Sequence, residues 1–280
     1  MSTDRTVKKV NTGYRTTDGA GVSLVRVIGN EDVHDYDPFL MLDAFDSVHP
    51  QDYTKGFPWH PHRGMETITY LISGDIEHGD SLGNTGSIKD GDAQWMTAGS
   101  GIIHQEMPKA SKRMLGVQLW LNLPAKDKMT APKYGPISHD DIPVILEDNA
   151  TVRIISGSYK DTNGAYEGEH VKAKFLDIEI KPNETWTVDT DPEDNLFLYL
   201  VEGDARILPE VPYHYAHEAL LLNTGDHLRV QAGSSGVRFF LLGGKRLNEP
   251  VSWGGPIVMN TRSELQQAFD ELNNDTFLKR

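Results

Sequence analysis

The feature that most limits how this chain can fold is an internal repeat. Residues 70–75 read Tyr-Leu-Ile-Ser-Gly-Asp, and residues 199–204, 129 positions later, read Tyr-Leu-Val-Glu-Gly-Asp. A second Gly-Asp pair follows in each half, at 91–92 and at 225–226. A strand and two Gly-Asp turns therefore occur once per half, which indicates duplication of one β module.

The remaining pattern is that of an all-β protein. Short segments of alternating or β-branched residues are separated by Gly-Asp, Asn-Gly and Pro turns about every ten residues, which is typical of a sandwich or barrel. The clearest segments are residues 67–72, 117–123, 175–180, 196–201 and 237–242. One helix is predicted near the end, where Thr261 and Glu264 form a capping box before apolar residues with helical spacing. A polar tail is expected after it, over residues 273–280.

Four prolines interrupt residues 124–143, which we interpret as a linker between two domains. We predict one β-barrel over residues 1–135. A second barrel, which carries the terminal helix, is predicted over residues 136–280. Because the linker is short, we expect a compact monomer.

Charge and composition exclude several functions. The chain has 27 basic and 41 acidic side chains and a formal net charge of -14, which opposes direct binding to nucleic acid or anionic lipid. It has no cysteine, so any metal must take nitrogen and oxygen ligands. The first ten residues are polar, and no later stretch approaches the roughly 18 apolar residues of a membrane span. We expect a protein of the cytoplasm, or also of the nucleus in a eukaryote.

Two pairs of polar residues indicate a metal site. His60 and His62 form one pair, and His104 and Glu106 form the other. On strands, residues i and i+2 face the same side, so three imidazoles and a carboxylate could converge on one ion. A single histidine in a strand is more often packed or solvated, but two such pairs together favour a site. The 129-residue shift places Asp189 and Asp191 at the first pair's positions, so the prediction concerns the N-terminal half.

This ligand set does not determine which metal ion binds. Neutral imidazole suits Fe, Ni, Cu or Zn, and one carboxylate favours a redox-active ion. An octahedral ion with four protein ligands keeps two positions for a bidentate substrate or for substrate plus O2, whereas a closed tetrahedral zinc site keeps none.

Several neighbouring residues have two interpretations. Gln118 either lies in the barrel interior near the metal or belongs to an ordinary half-polar strand. Four apolar residues flank the ligands and form either a pocket wall for a flat aromatic ligand or part of the core: Phe57, Trp59, Trp95 and Met96. We interpret His78 and Asp80 as surface or turn residues.

The segments around these ligands resemble the pirin family, whose members are bicupins of the cupin superfamily. The resemblance rests on His60-Pro-His62-Arg-Gly and His104-Gln-Glu106-Met-Pro, with further similarity at 119–123 and 255–261. It extends from residue 37 to the terminal helix. It implies two facing β-barrels, of which the second has lost its metal.

The same resemblance implies the cofactor and its ligands. It implies Fe(II) and four ligands: His60, His62, His104 and Glu106. The ligand types themselves also permit Ni, Co, Cu, Mn or Zn. Glu66 stands where cupins usually have a glutamate ligand, and we expect it to lie beside the site without binding the metal.

Two functions follow from the resemblance. The first is quercetin 2,3-dioxygenase activity, in which Glu106 accepts a proton from a flavonol that is cleaved by O2. The second is a redox-sensing regulatory role, exerted through a protein partner such as a transcription cofactor or a metabolic enzyme.

Overall fold

The computed structural model describes residues 3–279 and consists mainly of β-strands. The strands of the first half are β1 (Val7–Asn11), β2 (Tyr14–Asp18), β3 (Val22–Ile28), β4 (Phe39–Ser47), β5 (Phe57–His62), β6 (Met65–Ser73), β7 (Ile76–Asp80), β8 (Thr85–Ile88), β9 (Ala93–Thr97), β10 (Ile102–Pro108), β11 (Met114–Asn122) and β12 (Lys133–Ile137). Those of the second half are β13 (Val144–Leu146), β14 (Ala150–Ser156), β15 (Ser158–Tyr159), β16 (Thr162–Asn163), β17 (Lys174–Ile180), β18 (Thr185–Asp189), β19 (Asp194–Ile207), β20 (His214–Tyr215), β21 (Ala219–Leu222), β22 (His227–Lys245), β23 (Ser252–Gly254) and β24 (Ile257–Met259). The described helices are α1 (Val33–Tyr36), α2 (Arg262–Asn273) and short 3-10 turns at Asn30–Asp32, Pro50–Asp52, Ala125–Asp127 and His139–Asp141.

The predicted strands and helix are confirmed. The five predicted segments coincide with β6, β11, β17, β19 and β22, although residues 117–123 extend one residue past β11. At α2, the Thr261 hydroxyl accepts from the Glu264 amide at 3.2 Å, and the Glu264 carboxylate accepts from the Thr261 amide at 2.8 Å. This reciprocal capping satisfies two amide groups that the helix itself leaves unpaired.

The chain forms two compact units, which we call the first and the second barrel. The first barrel comprises residues 14–33, 39–139 and the segment from Leu247 onward. Its sheets have the strand orders β12-β9-β6-β11-β4-β3-β2 and β5-β10-β7-β8, and β23 pairs with β24. Helix α2 packs on β24, where Ala268 joins a small apolar cluster with Ile257 and Met259.

The second barrel comprises the residues up to Gly13, residues 34–38 and residues 140–246. Its main sheet has the order β1-β21-β19-β22-β17-β14-β13. One row of directly opposed residues crosses five of these strands: Ile154, Leu176, Leu241, Leu198 and Leu220. All five side chains are completely buried in one hydrophobic core, which also contains Trp186. We call this set the aliphatic row.

The structure divides the chain differently from the predicted ranges 1–135 and 136–280. Strand β1 pairs with β21 and so extends the sheet of the second barrel, while α2 belongs to the first barrel. Residues 124–143 are not a free linker, because β12 lies within them and pairs with β9. Since β12 is an edge strand, it tolerates Pro136, which has no amide hydrogen to donate.

The segment after α2 differs from the predicted polar tail. Phe277 is only 2% exposed and belongs to the same apolar cluster as Ala268. This burial ties the end of the described chain to the first barrel. None of the described helices is long and apolar enough to cross a bilayer.

Candidate metal centre

Three histidines converge on one face of the first barrel. His104 on β10 lies directly opposite His60 on β5, and His62 lies two residues farther along β5. The ring centroids are 4.4 Å apart for His60 and His104, 4.8 Å for His60 and His62, and 5.0 Å for His62 and His104. Their candidate ligand atoms all lie within 4.8 Å of one another.

The hydrogen bonds of these rings leave nitrogen lone pairs available for a metal. Nδ1 of His60 lies 2.8 Å from the Pro58 carbonyl oxygen, and Nδ1 of His62 lies 3.2 Å from that of Pro256. Because a carbonyl oxygen can only accept, each Nδ1 carries a proton, and Nε2 is the nitrogen that has a lone pair for a metal in the neutral ring. His104 is completely buried, and neither of its nitrogens has a hydrogen-bond partner among the described residues. These orphaned nitrogens fit a metal ligand, since buried polar atoms are otherwise nearly always paired.

The electrostatics favour neutral imidazoles. Burial, with a smaller contribution from the adjacent His60, lowers the pKa of His62 to about 3. Burial and the surrounding histidines hold the pKa of His104 well below its usual range. Both rings are therefore unprotonated at neutral pH, which is the state that binds a metal.

Glu106 follows His104 on the same face of β10 and is 3% exposed. One of its oxygens accepts a hydrogen bond from the Gln118 amide at 2.8 Å, and the other accepts from the Thr69 hydroxyl at 3.3 Å. Glu106 is not a member of the three-histidine group. Each carboxylate oxygen nevertheless keeps a further lone pair. Gln118 lies inside the barrel beside the candidate ligands, as the first of its two interpretations predicted.

Gln118 belongs to a row of polar residues that crosses the first barrel, which we call the polar row. Its members are directly opposed on successive strands: Gln94 on β9, Thr69 on β6, Gln118 on β11, Asp43 on β4 and Arg26 on β3. All except Arg26 are at most 9% exposed. Two members of the polar row, Thr69 and Gln118, thus donate to Glu106, which lies on β10 of the other sheet.

The interpretation of His78 and Asp80 as surface or turn residues is wrong. Both side chains are completely buried, and on β7 they lie opposite Glu106 and His104. The His78 ring stacks on Tyr134 and lies 5.4 Å from the His104 ring. Its Nε2 lies 3.4 Å from an Asp80 oxygen. His78 and Asp80 have the same i, i+2 spacing as the other two pairs, and this spacing is the sequence signal that indicates their shared strand face.

The other sequence candidates lie elsewhere. Glu66 accepts a hydrogen bond from the Thr97 hydroxyl at 2.7 Å. It lies three residues from Thr69 on β6, and residues an odd number apart on a strand face opposite sides. Because Thr69 faces Glu106, Glu66 faces away from it. Its predicted place beside the ligands is not what the structure shows. Of the four flanking apolar residues, Phe57 lines the cavity described below, Trp59 is 55% exposed, and the other two are buried: Trp95 and Met96.

The segment from Leu247 onward also supports the site. In addition to the Pro256 contact with His62, Arg63 donates to the Ser100 carbonyl, the Glu271 carboxylate and the Phe277 carbonyl, each at 2.7 Å. The Arg63 guanidinium also lies 4.2 Å from the centre of the Phe277 ring. The residue after His62 is therefore fixed by α2 and by the chain that follows it.

A cavity of about 420 Å³ opens at His60 and His62. Its walls include Phe57, Trp120 and Trp253, and the two tryptophan rings lie 5.8 Å apart. The polar row contributes Gln118, Asp43 and Arg26 to the same cavity. Aromatic walls with a few polar groups are typical of small-molecule sites, whose volumes are roughly 300–1,000 Å³.

The second barrel has no comparable centre among its described residues. Asp189 is 95% exposed and lies 2.9 Å from a nitrogen of His227, while Asp191 accepts from the Glu193 amide. Across the described part of the chain, the three-histidine group is the one set of three or more metal-ligating side chains close enough to share an ion.

Two cupin-type barrels with converging histidines in one of them define a bicupin with a candidate metal centre. Residues 21–121 match pirin, and residues 175–278 match the pirin C-terminal cupin domain. A pirin-like protein of Caulobacter vibrioides is 42% identical over 276 residues, which is 98% of this chain and 99% of that protein. A pirin-like protein of Solanum lycopersicum is 40% identical over 97% of this chain and 92% of that protein. The chain therefore belongs to the pirin family.

A solved structure has a similar fold over nearly its whole length. The crystal structure of quercetin 2,3-dioxygenase from Acinetobacter baumannii matches with a TM-score of 0.89 and 30% sequence identity. The match covers 98% of this chain and 99% of that chain.

Proposed function

We propose that this protein is a mononuclear Fe(II) dioxygenase that cleaves quercetin-type flavonols. The observation that carries the proposal is the convergence of three imidazoles, two of which line one end of an aromatic-walled cavity. The likeness to a solved quercetin 2,3-dioxygenase over nearly the whole of both chains supports the choice of reaction.

The proposed ligands are His60, His62, His104 and Glu106. In this proposal, the Pro58 and Pro256 carbonyls hold the first two rings with Nε2 available. An iron ion held by these residues would supply Lewis acidity toward a flavonol oxygen and redox chemistry toward O2. Ni, Co, Cu, Mn and Zn remain alternatives, because all of them accept imidazole and carboxylate ligands.

The cavity walls and Glu106 have separate roles in the proposal. Phe57, Trp120 and Trp253 offer flat apolar surface on which an aromatic ligand can lie, and they exclude water from it. Glu106 accepts the proton of the flavonol 3-hydroxyl, and Gln118 orients the accepting carboxylate. Ring cleavage by O2 then releases carbon monoxide.

The test is an anaerobic titration of the iron-loaded protein with quercetin, followed by exposure to O2. We expect a new ligand-to-metal absorption band, then O2 consumption and carbon monoxide release. Glu106→Gln should lower turnover by about 10²–10⁴-fold, as expected for loss of a general base. Glu77→Gln, on the neighbouring β7 but exposed and paired with Lys109, is the matched control.

An iron-loaded protein that shows neither the band nor O2 consumption would contradict the proposal. The same result would favour the regulatory alternative, in which a protein partner responds to the oxidation state of the metal. A sensor does not require an apolar channel to its metal, and the cavity is therefore the reason for preferring the enzyme.

A further inference from the structure

The polarity of the polar row is not required by the fold. Thr69 and Leu198 both stand immediately before the repeated tyrosine, so the polar row and the aliphatic row occupy corresponding places in the two barrels. The second barrel fills that place with five buried aliphatic side chains. Burying polar groups costs free energy unless they are hydrogen-bonded, so a row of them in the first barrel indicates a function other than folding.

One end of the polar row places charge in the cavity. Arg26 donates to both oxygens of Asp43, from Nε at 2.9 Å and from Nη2 at 2.8 Å, and Nη2 also donates to Asp18 at 2.9 Å. These three are the charged side chains among the described residues that line the cavity. Two carboxylates around one guanidinium leave this part of the cavity with a formal charge of -1. Burial raises the pKa of Asp43 to about 6, partly offset by Arg26, so Asp43 is mostly ionised at pH 7.5.

The carboxylates keep capacity for a ligand. Each oxygen of Asp43 accepts from Arg26 but has a second lone pair, so it can also accept from a hydroxyl group. An anionic group would instead face the carboxylates of Asp43 and Asp18, and three of the five Arg26 N–H groups that could attract it are already directed to those two residues.

A neighbouring side chain also indicates a polar, uncharged ligand. Trp120 lines the cavity and is 9% exposed, and its indole Nε1 has no hydrogen-bond partner among the described residues. A buried indole N–H usually finds an acceptor. A ligand with both hydroxyl donors and neutral oxygen acceptors would satisfy Trp120 and Asp43 together.

We propose that Asp43 and Asp18, by enclosing Arg26, are specificity-determining residues that select ligands with uncharged hydroxyl groups and reject ligands with an anionic substituent. This inference rests on the proposed function, because the ligand considered is the flavonol. It adds a prediction that the metal centre does not make, namely discrimination between a flavonol and its sulfate esters.

The experiment measures binding of quercetin and of its 7-sulfate and 3′-sulfate esters through quenching of tryptophan fluorescence. It is performed on the metal-free and on the Ni(II)-loaded protein at pH 7.5. We expect the wild-type protein to bind each sulfate at least about tenfold more weakly than quercetin, because like charges in a partly buried site repel strongly. In the double variant Asp18→Asn/Asp43→Asn, the formal charge of this part of the cavity becomes +1. The Kd of each sulfate divided by the Kd of quercetin should then fall to about one or below one.

Two further variants keep the test informative. Asp18→Asn alone changes a half-exposed residue, so it should fold and should reduce the discrimination even if the double variant does not fold. Asp46→Asn is the matched control, because Asp46 lies on the same strand and forms the same two-bonded pair with Arg113 on the exposed face. It should leave the discrimination unchanged.

The outcomes separate the two proposals. A wild-type protein that turns over quercetin but binds the sulfates equally well would overturn the inference and leave the proposed function standing. Discrimination that survives in both Asp18→Asn and the double variant would also overturn it. If the wild-type protein binds no flavonol in either form, both proposals fail.

Discussion

Where the first barrel has His60 and His62, the second barrel has Asp189 and Asp191, and the interiors differ accordingly. The second barrel is filled by Trp186, which is completely buried and stacks on Tyr159, and by aliphatic side chains. The first barrel keeps a cavity beside its histidines. A repeated barrel can fill its interior with apolar side chains for stability, or it can leave space for a ligand. The second barrel does the former, and the first barrel does the latter.

The largest expected effect comes from removing a histidine of the first barrel. His104→Ala should lower the affinity for Ni(II) or Co(II) by more than about 100-fold, since losing even a residue that orients a ligand costs 10–100-fold. Asp189→Ala at the other barrel should leave the affinity unchanged. Competition with a coloured chelator measures both. Equal losses in the two variants would show that the barrels are not chemically distinct.

A smaller effect is expected from the segment that supports the site. Glu271→Ala removes the carboxylate that holds Arg63, next to His62, and should lower metal affinity by about tenfold. The Co(II) absorption spectrum should change with it, since the orientation of the His62 ring changes. Asp270→Ala is the control on the same helix, because the Asp270 side chain bonds Gln266 on the exposed surface. A spectrum that stays the same while thermal stability falls would show that Glu271 serves folding alone.

The smallest effect concerns the polar row. Gln118→Leu introduces the residue type found in the aliphatic row, but it leaves the buried Glu106 without its amide donor. We expect the free energy of unfolding of the metal-free protein to fall by about 1–3 kcal/mol. The double variant Glu106→Leu/Gln118→Leu should recover most of this loss, because both partners are then apolar. Urea unfolding measures the difference, and a double variant less stable than Gln118→Leu would contradict the interpretation.

Local patterns were enough to predict five of the described strands, the terminal helix and the convergence of His60, His62 and His104. An alternation of two residues determines which side chains share a strand face, and the capping box determines where α2 begins. No local pattern indicates that β1 joins the second barrel or that the segment after Leu247 joins the first. Those assignments depend on pairing between residues far apart in the sequence, such as Val10 with Leu220 and His62 with Pro256.

The support of His62 by Pro256 and of Arg63 by Glu271 also has a consequence for synthesis. The ribosome makes all of the second barrel from residue 140 to 246 before it makes either supporting residue. Nascent chains fold in order from the N-terminus, so the histidines emerge long before their supports. If the protein binds a metal as proposed, loading in the final geometry would therefore be a late event, after residues 140–246 and both supporting residues have been translated.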